Sequence, residues 1–102
     1  MGLGIALQDE SGAELALVAD PKDYLGKLLS EHDHPIYPML ASIDFYGDTL
    51  FNRKQMDRFL AEWADALAKA NTEEEKVLVP TIEGLARRCR DEVHLYLKFI
   101  GD

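Results

Sequence analysis

Residues 72–100, TEEEKVLVPTIEGLARRCRDEVHLYLKFI, decide the fold, because the period of their apolar positions changes once along the run. Leu78, Ile82, Leu85, Ala86 and Cys89 recur at three- and four-residue spacing and share one helical face. From Val93 onward the pattern alternates, with Val93, Leu95, Leu97 and Phe99 set against His94, Tyr96, Lys98 and Ile100, as in a half-buried strand. Thr72 with Glu75 makes a capping box, and Glu73, Glu74 and Glu75 suit the positive end of a helix dipole. Pro80 has no donor for the Lys76 carbonyl, so the helix is expected to kink, or to divide into 72–79 and 80–91. Arg87, Arg88 and Arg90 crowd its last turn, where cations complement exposed carbonyls. A long helix delivering straight into a strand points to an α+β domain.

Upstream, Met56, Phe59, Leu60, Trp63, Leu67 and Ala70 form an apolar stripe over about 52–70, with Lys54, Asp57, Arg58, Glu62, Asp65 and Lys69 on the opposite side. Asn52 and Gln55 make a capping box at its start, and Asp65 with Lys69 is a favourably oriented surface pair. Residues 3–8 and 13–19 alternate as two strands, with Leu3, Ile5, Leu7 on one apolar face and Leu15, Leu17, Ala19 on the other. Asp9, Glu10, Ser11 and Gly12 join them in a hairpin. Asp20 and Pro21 open a helix that buries Tyr24, Leu25, Leu28 and Leu29 and runs to about Glu31. Two prolines make 32–38 a loop, residues 39–45 read as a third strand, and Tyr46, Gly47, Asp48 and Thr49 as the turn that ends it. The expected architecture is one α+β domain over residues 1–102: two layers, about four mostly antiparallel strands, and about three helices on one face. Gln8, Glu14, His94, Tyr96 and Lys98 are then the candidates for the uncovered face.

Leu, Ile, Val and Phe make up 28 of the 102 residues. That is above the level of roughly 20% under which high net charge goes with disorder. The net charge is −8. Such a surface repels phosphate backbones, so nucleic-acid binding is disfavoured. Residues 1–51 hold nine acids and two bases, against ten and nine in 52–102, so the acidity belongs to the first half. Segregated charge of this kind steers a basic partner. No apolar run reaches the roughly 20 residues of a membrane span, and no signal peptide is recognisable at the start, so a cytoplasmic protein without membrane contact is expected. The single cysteine, Cys89, has no intrachain partner and sits on an apolar helical face, as a buried small hydrophobe does.

His32, Asp33 and His34 offer two imidazoles and a carboxylate that can hold zinc, with Glu31 or Asp44 as further ligands; the plainer reading is a pair of solvated loop histidines. Specialised residues are densest in YGDTLFNRKQM, residues 46–56. Gly, Asp, Thr and Asn there serve as turn and cap residues; alternatively, a loop leading into a helix start presents amides to a ligand, with Arg53 favouring an anion and Asp44 and Asp48 favouring a cationic group. This segment resembles one in a group of small bacterial proteins with an acidic first half and a closing stretch similar to HLYLKFIGD, residues 94–102. The resemblance covers about 20 residues. It implies no activity, only that 46–56 is a defining feature of a shared fold.

No nucleophile elbow, phosphate-cradling glycine loop or H-E-x-x-H occurs, and a carboxylate pair such as Asp44 with Asp48 could do acid–base work in principle, although surface acids ordinarily contribute no catalysis. Tyr37, Tyr46 and Tyr96 do not all fall on apolar faces, and tyrosine is favoured at interfaces. The expected function is therefore non-enzymatic: a bacterial protein-binding domain, of inhibitor or immunity type, that covers a basic surface. Asp44, Tyr46, Asp48, Asn52 and Arg53 are its candidate partner-binding residues, with no catalytic residue, cofactor or metal. The alternatives are a small metal-binding protein or metal-dependent enzyme using His32 and His34, and a homodimer joined through a sheet edge or the face bearing Tyr96.

Overall fold

Asp9 ends the first strand by offering its carboxylate to the chain that follows. Its Oδ1 accepts hydrogen bonds from the Ser11 amide (2.9 Å), the Ser11 hydroxyl (2.6 Å) and the Ala13 amide (3.0 Å). Gly12 takes the left-handed conformation this turn requires, at φ 87°. The hairpin so closed joins β1 (Gly4–Asp9) to β2 (Glu14–Ala19). A computed structural model of the chain describes residues 3–20, 22–30 and 36–101. Within it, β4 (Leu95–Ile100) lies beside β1, and β3 (Asp48–Phe51) beside β4, giving an entirely antiparallel sheet of order β2-β1-β4-β3.

Alternation along these strands sends Ile5, Leu7, Phe51, Leu95, Leu97 and Phe99 into one core beneath the helices. The face of β2 is the reverse of the expected one. Val18 pairs with Ile5 and Ala16 with Leu7, so Ala16 and Val18 pack on the core. Leu17 pairs with Ala6 and turns outward with it. Both parities of β2 are apolar, so its own pattern does not fix the register. The partner strand does, and the irregularity at Leu7/Gln8 leaves Leu15 without a register partner.

Asp20 is buried and starts α1 (Tyr24–Ser30) by accepting the amides of Tyr24 (3.0 Å) and Leu25 (2.7 Å). Leu25, Leu28 and Leu29 are buried as expected; Pro21 and residues 31–35 lie outside the described residues.

The expected third strand at 39–45 does not form. Pro38–Ala41 is a short helix, α2, followed by turns, and the strand starts three residues beyond the expected segment, at Asp48. The cause is Glu62, from the polar stripe of α3 (Met56–Ala68). Its carboxylate accepts the amides of Met39 and Leu40, both at 3.0 Å, and Arg58 donates to it at 2.9 Å. Pro38 at the helix start has no amide to lose. Tyr37 donates its hydroxyl to Asp65 at 2.8 Å, so Asp65 serves this segment, and no Asp65–Lys69 ion pair forms among the described residues.

The Asn52–Gln55 capping box forms and opens a 3-10 turn (Arg53–Gln55) that leads into α3. The second box, Thr72 with Glu75, opens α4, which runs unbroken from Glu73 to Asp91 through Pro80. Pro80 is exposed, so its missing donor burdens the solvent side of the helix. On the buried side, Trp63 Nε1 donates to the Val79 carbonyl at 2.9 Å and locks α3 to α4. Phe59 stacks on Trp63 (centroids 5.3 Å apart) and meets Phe51 (5.4 Å) and Phe99 (5.9 Å), so the aromatic centre ties both helices to the sheet.

Glu62→Ala strips an acceptor from two amides, each of which costs about 1–3 kcal/mol when left unsatisfied, so unfolding in urea should show a loss of about 2–3 kcal/mol, with Glu62→Gln losing less. A loss below about 1 kcal/mol would show that 36–41 holds without it. Asp9 offers a second check. The Ser11 hydroxyl, followed by the Ala13 amide, holds its carboxyl below the usual carboxylate range. A lowered folded value means that its stabilising effect is present above the unfolded value and fades as pH falls through the folded one. An NMR titration should therefore place the Asp9 midpoint low, and Ser11→Ala should move it up.

Candidate interaction surface

The helices cover one side of the sheet and leave the other open. Register sets Leu17, Ala6, Lys98 and Leu50 side by side across all four strands. Ala6 is wholly buried yet outside the core cluster, whereas Leu17 is 58% and Leu50 50% exposed. The next rows hold Ala19, Gly4, Ile100 and Asp48 on one side, and Glu14, Gln8 and Tyr96 on the other. Lys98 reaches Asp48 at 3.5 Å. Gln8, Glu14, Tyr96 and Lys98 thus occupy the open face as expected. His94 does not: it precedes β4 in the left-handed region, at φ 64°, with Nδ1 3.2 Å from Glu10. Val93 is likewise outside the strand and exposed.

One end of this face is built by the 44–49 turn. Asp44 accepts the Tyr46 amide at 2.8 Å and donates its own amide to Thr49 Oγ1 at 2.9 Å. Gly101 donates to the Gly47 carbonyl at 2.7 Å, and a side chain there would meet the Gly47 nitrogen at 2.5 Å and the Asp44 carbonyl at 2.7 Å. The two stretches on which the sequence resemblance rests therefore meet as one unit, β3 on β4 closed by Gly47 and Gly101. Tyr46 stands at its tip, 84% exposed.

The five candidate residues divide between the two ends of β3. Asp44, Tyr46 and Asp48 lie at its start and Asn52 and Arg53 past its finish, with roughly 14 Å of extended chain between Asp48 and Asn52. Asn52 is engaged in its capping box, and Arg53 donates Nε to the Arg90 carbonyl at 2.9 Å, at the end of α4. Asp44 and Asp48 do not converge on a common point: one shapes a turn, the other pairs with Lys98. Leu17 and Leu50 were not among the candidates; the signal for Leu50 is its place next to Phe51, which alternation sends inward.

His32 and His34 lie outside the described residues, and among those described no group of three His, Cys, Asp or Glu side chains is placed to hold a metal. Cys89 is buried, donates to the Leu95 carbonyl, and burial pushes its thiol up to about 11, so the nucleophilic thiolate is suppressed. No helix among the described residues is long and apolar enough to cross a membrane. Comparison with protein-family models, with curated proteins and with solved structures finds no match.

Gly101→Ala should lower stability by about 2 kcal/mol, because the added methyl meets backbone that cannot swing away. Gly84 in α4 is exposed and has open space around it, so Gly84→Ala should raise stability by about 0.5–1 kcal/mol. A Gly101→Ala denaturation midpoint at or above that of wild type would contradict the packing of the 44–49 turn on β4, and a lowered Gly84→Ala midpoint would contradict the open space at α4.

Proposed function

We propose that this chain is a non-enzymatic protein-binding domain that covers a basic surface of its partner with the open face of the sheet. The reading rests on one observation: a row of Leu17, Ala6, Lys98 and Leu50 that no described element covers, in which Lys98 pairs with Asp48 and Glu14 stands at the β2 side. Apolar centres with polar rims are the anatomy of interfaces, and a rim of carboxylates selects a cationic partner. The acidic first half supplies β1, β2 and the 44–49 turn, and with them Glu14, Asp44 and Asp48.

Four strands of about six residues make a face of roughly 20 by 20 Å, about 400 Å², half of the roughly 800 Å² that each partner gives to a standard interface. The contact therefore extends over the 44–49 turn, where Tyr46 provides an exposed aromatic anchor. An inhibitor or immunity-type role in the bacterial cytoplasm suits a small domain that works by covering. The lone buried thiol suits that compartment.

A second reading is favoured by the outer edge of β2. Glu14 is its one charge, and a two-fold antiparallel pairing of β2 with β2 centred between Ala16 and Leu17 sets Glu14 opposite Ala19, without like charges facing. A sedimentation mass equal to one chain at all concentrations would remove it.

The main reading is tested by affinity capture with three baits: wild type, the Leu17→Ser/Leu50→Ser double variant, and Val77→Ser on the exposed side of α4. A basic protein should be held by wild type and Val77→Ser at about 0.05 M salt, released toward about 0.5 M, and missed by the double variant. Capture indifferent to salt, or identical for all three baits, would overturn it.

A further inference from the structure

The corner where α4 hands over to β4 has a charge balance opposite to that of the molecule as a whole. An open cleft of about 410 Å³ lies there, lined by Asn52, Arg53, Lys54, His94, Leu95 and Tyr96 together with Val93. Its lining holds no carboxylate, unlike the clefts bordered by Asp9 and Glu10, by Glu73 and Glu74, or by Asp23 and Glu75.

Three of the acids around it are already paired, and the exposed Asp57 on the first turn of α3, without an ion pair among the described residues, acts only weakly on Arg90. Glu92 takes Arg88 at 3.1 Å, Asp91 takes Arg90 at 2.7 Å, and Glu10 takes His94 Nδ1 at 3.2 Å. Arg53 acts on Asp91 only weakly beside the hydrogen-bonded Arg90. Three donors are left over. Lys54 has no ion pair among the described residues. Arg53 spends Nε on the Arg90 carbonyl, which fixes its guanidinium and leaves the terminal nitrogens without a described partner. The Tyr96 hydroxyl likewise makes no hydrogen bond to a described residue. His94 is held over this corner by a left-handed backbone, an arrangement costing about 1 kcal/mol for a residue with a side chain.

We propose that this cavity binds the phosphate of a small phosphomonoester. The guanidinium end of Arg53 and the ammonium of Lys54, from the 3-10 turn, and the Tyr96 phenol, from β4, match a tetrahedral oxyanion better than a planar carboxylate, which a single guanidinium satisfies. The volume falls in the range of small-molecule sites, and exposed Val93 with the Tyr96 ring offers an apolar wall for the organic body. A polyanion is disfavoured by the acids on the sheet face, so one isolated phosphate is the class that fits. The site borders the open sheet face through Tyr96 but uses neither Leu17, Leu50 nor the 44–49 turn, so either proposal stands without the other.

The test is an amide NMR titration of the whole protein with ribose 5-phosphate, inorganic phosphate and ribose. Ribose 5-phosphate should give saturating shifts at Arg53, Lys54, His94 and Tyr96 with half-saturation below about 1 mM, inorganic phosphate should bind about tenfold more weakly, and ribose should give none. Lys54→Gln, which removes no described contact, should weaken ribose 5-phosphate at least about fivefold, while Lys76→Gln, the same charge change on α4, should leave it unaltered. Shifts that stay linear to about 20 mM, equal weakening by both variants, binding of ribose, or equal affinity for phosphate with and without the sugar would each overturn the proposal.

Discussion

A buried carboxylate holds the 36–41 segment across α3, and the placement of the edge strand follows from it. Glu62 is 4% exposed, and an ionised group at that depth is tolerated only when its acceptor sites are filled. Two amides of α2 and the Arg58 guanidinium fill them, and Arg58 also donates to the Ile36 carbonyl at 3.1 Å, so the ion pair and the cap are one network. With α2 fixed on α3, Leu40 and Ile43 enter the core, and Asp44 is left at the surface to begin the turn. The chain then reaches β4 from outside the helices, and β3 is short because only Asp48–Phe51 lies between that turn and the Asn52 cap.

The elements that could be read from sequence are those whose signals are local. Asn52 with Gln55 and Thr72 with Glu75 satisfy helix amides within three residues, and both boxes form where the spacing places them. The same locality covers Asp20, the Asp9 turn and the alternation of β4. Residues 39–45 failed because their fate is set 17 to 23 positions away. Glu62 occupies a polar stripe position like any solvated acid on an amphipathic helix, and no local pattern reveals that another segment will lie over it. The face of β2 failed for a related reason: Leu15 and Leu17 are larger than Ala16 and Val18, but Ile5 and Leu7 on the neighbouring strand choose which parity is buried. Pro80 was read as a break because its exposure depends on which side of α4 meets α3.

The candidate site was legible in part. The Asn52–Gln55 cap is where sequence placed it, whereas Asp44, expected in a strand, begins the turn, and Asp48 and Thr49, expected in the turn, belong to β3. What could not be read was the open sheet face, since whether Leu17 and Leu50 are covered depends on the helices all packing on one side. Ala6 illustrates the point: it is fully buried yet lies outside the core cluster, so burial of a strand residue does not by itself place it in the core.

The opposing signs that Asp48 and Arg53 bring to one short segment cease to conflict once β3 separates them. Roughly 14 Å of strand exceeds the Debye length of about 8 Å at physiological ionic strength, so across water each end presents its own potential. Lys98 reinforces the separation by pairing with Asp48 beside the apolar strip instead of reaching Arg53's end. A chain carrying −8 can therefore keep an acidic face for a cationic surface and, around the end of the same strand, a corner where cations outnumber unpaired acids. The ladder of β3 on β4 keeps the two apart: its register fixes Asp48 beside Ile100 and Phe51 beside Leu97, and neither end can shift without carrying the other.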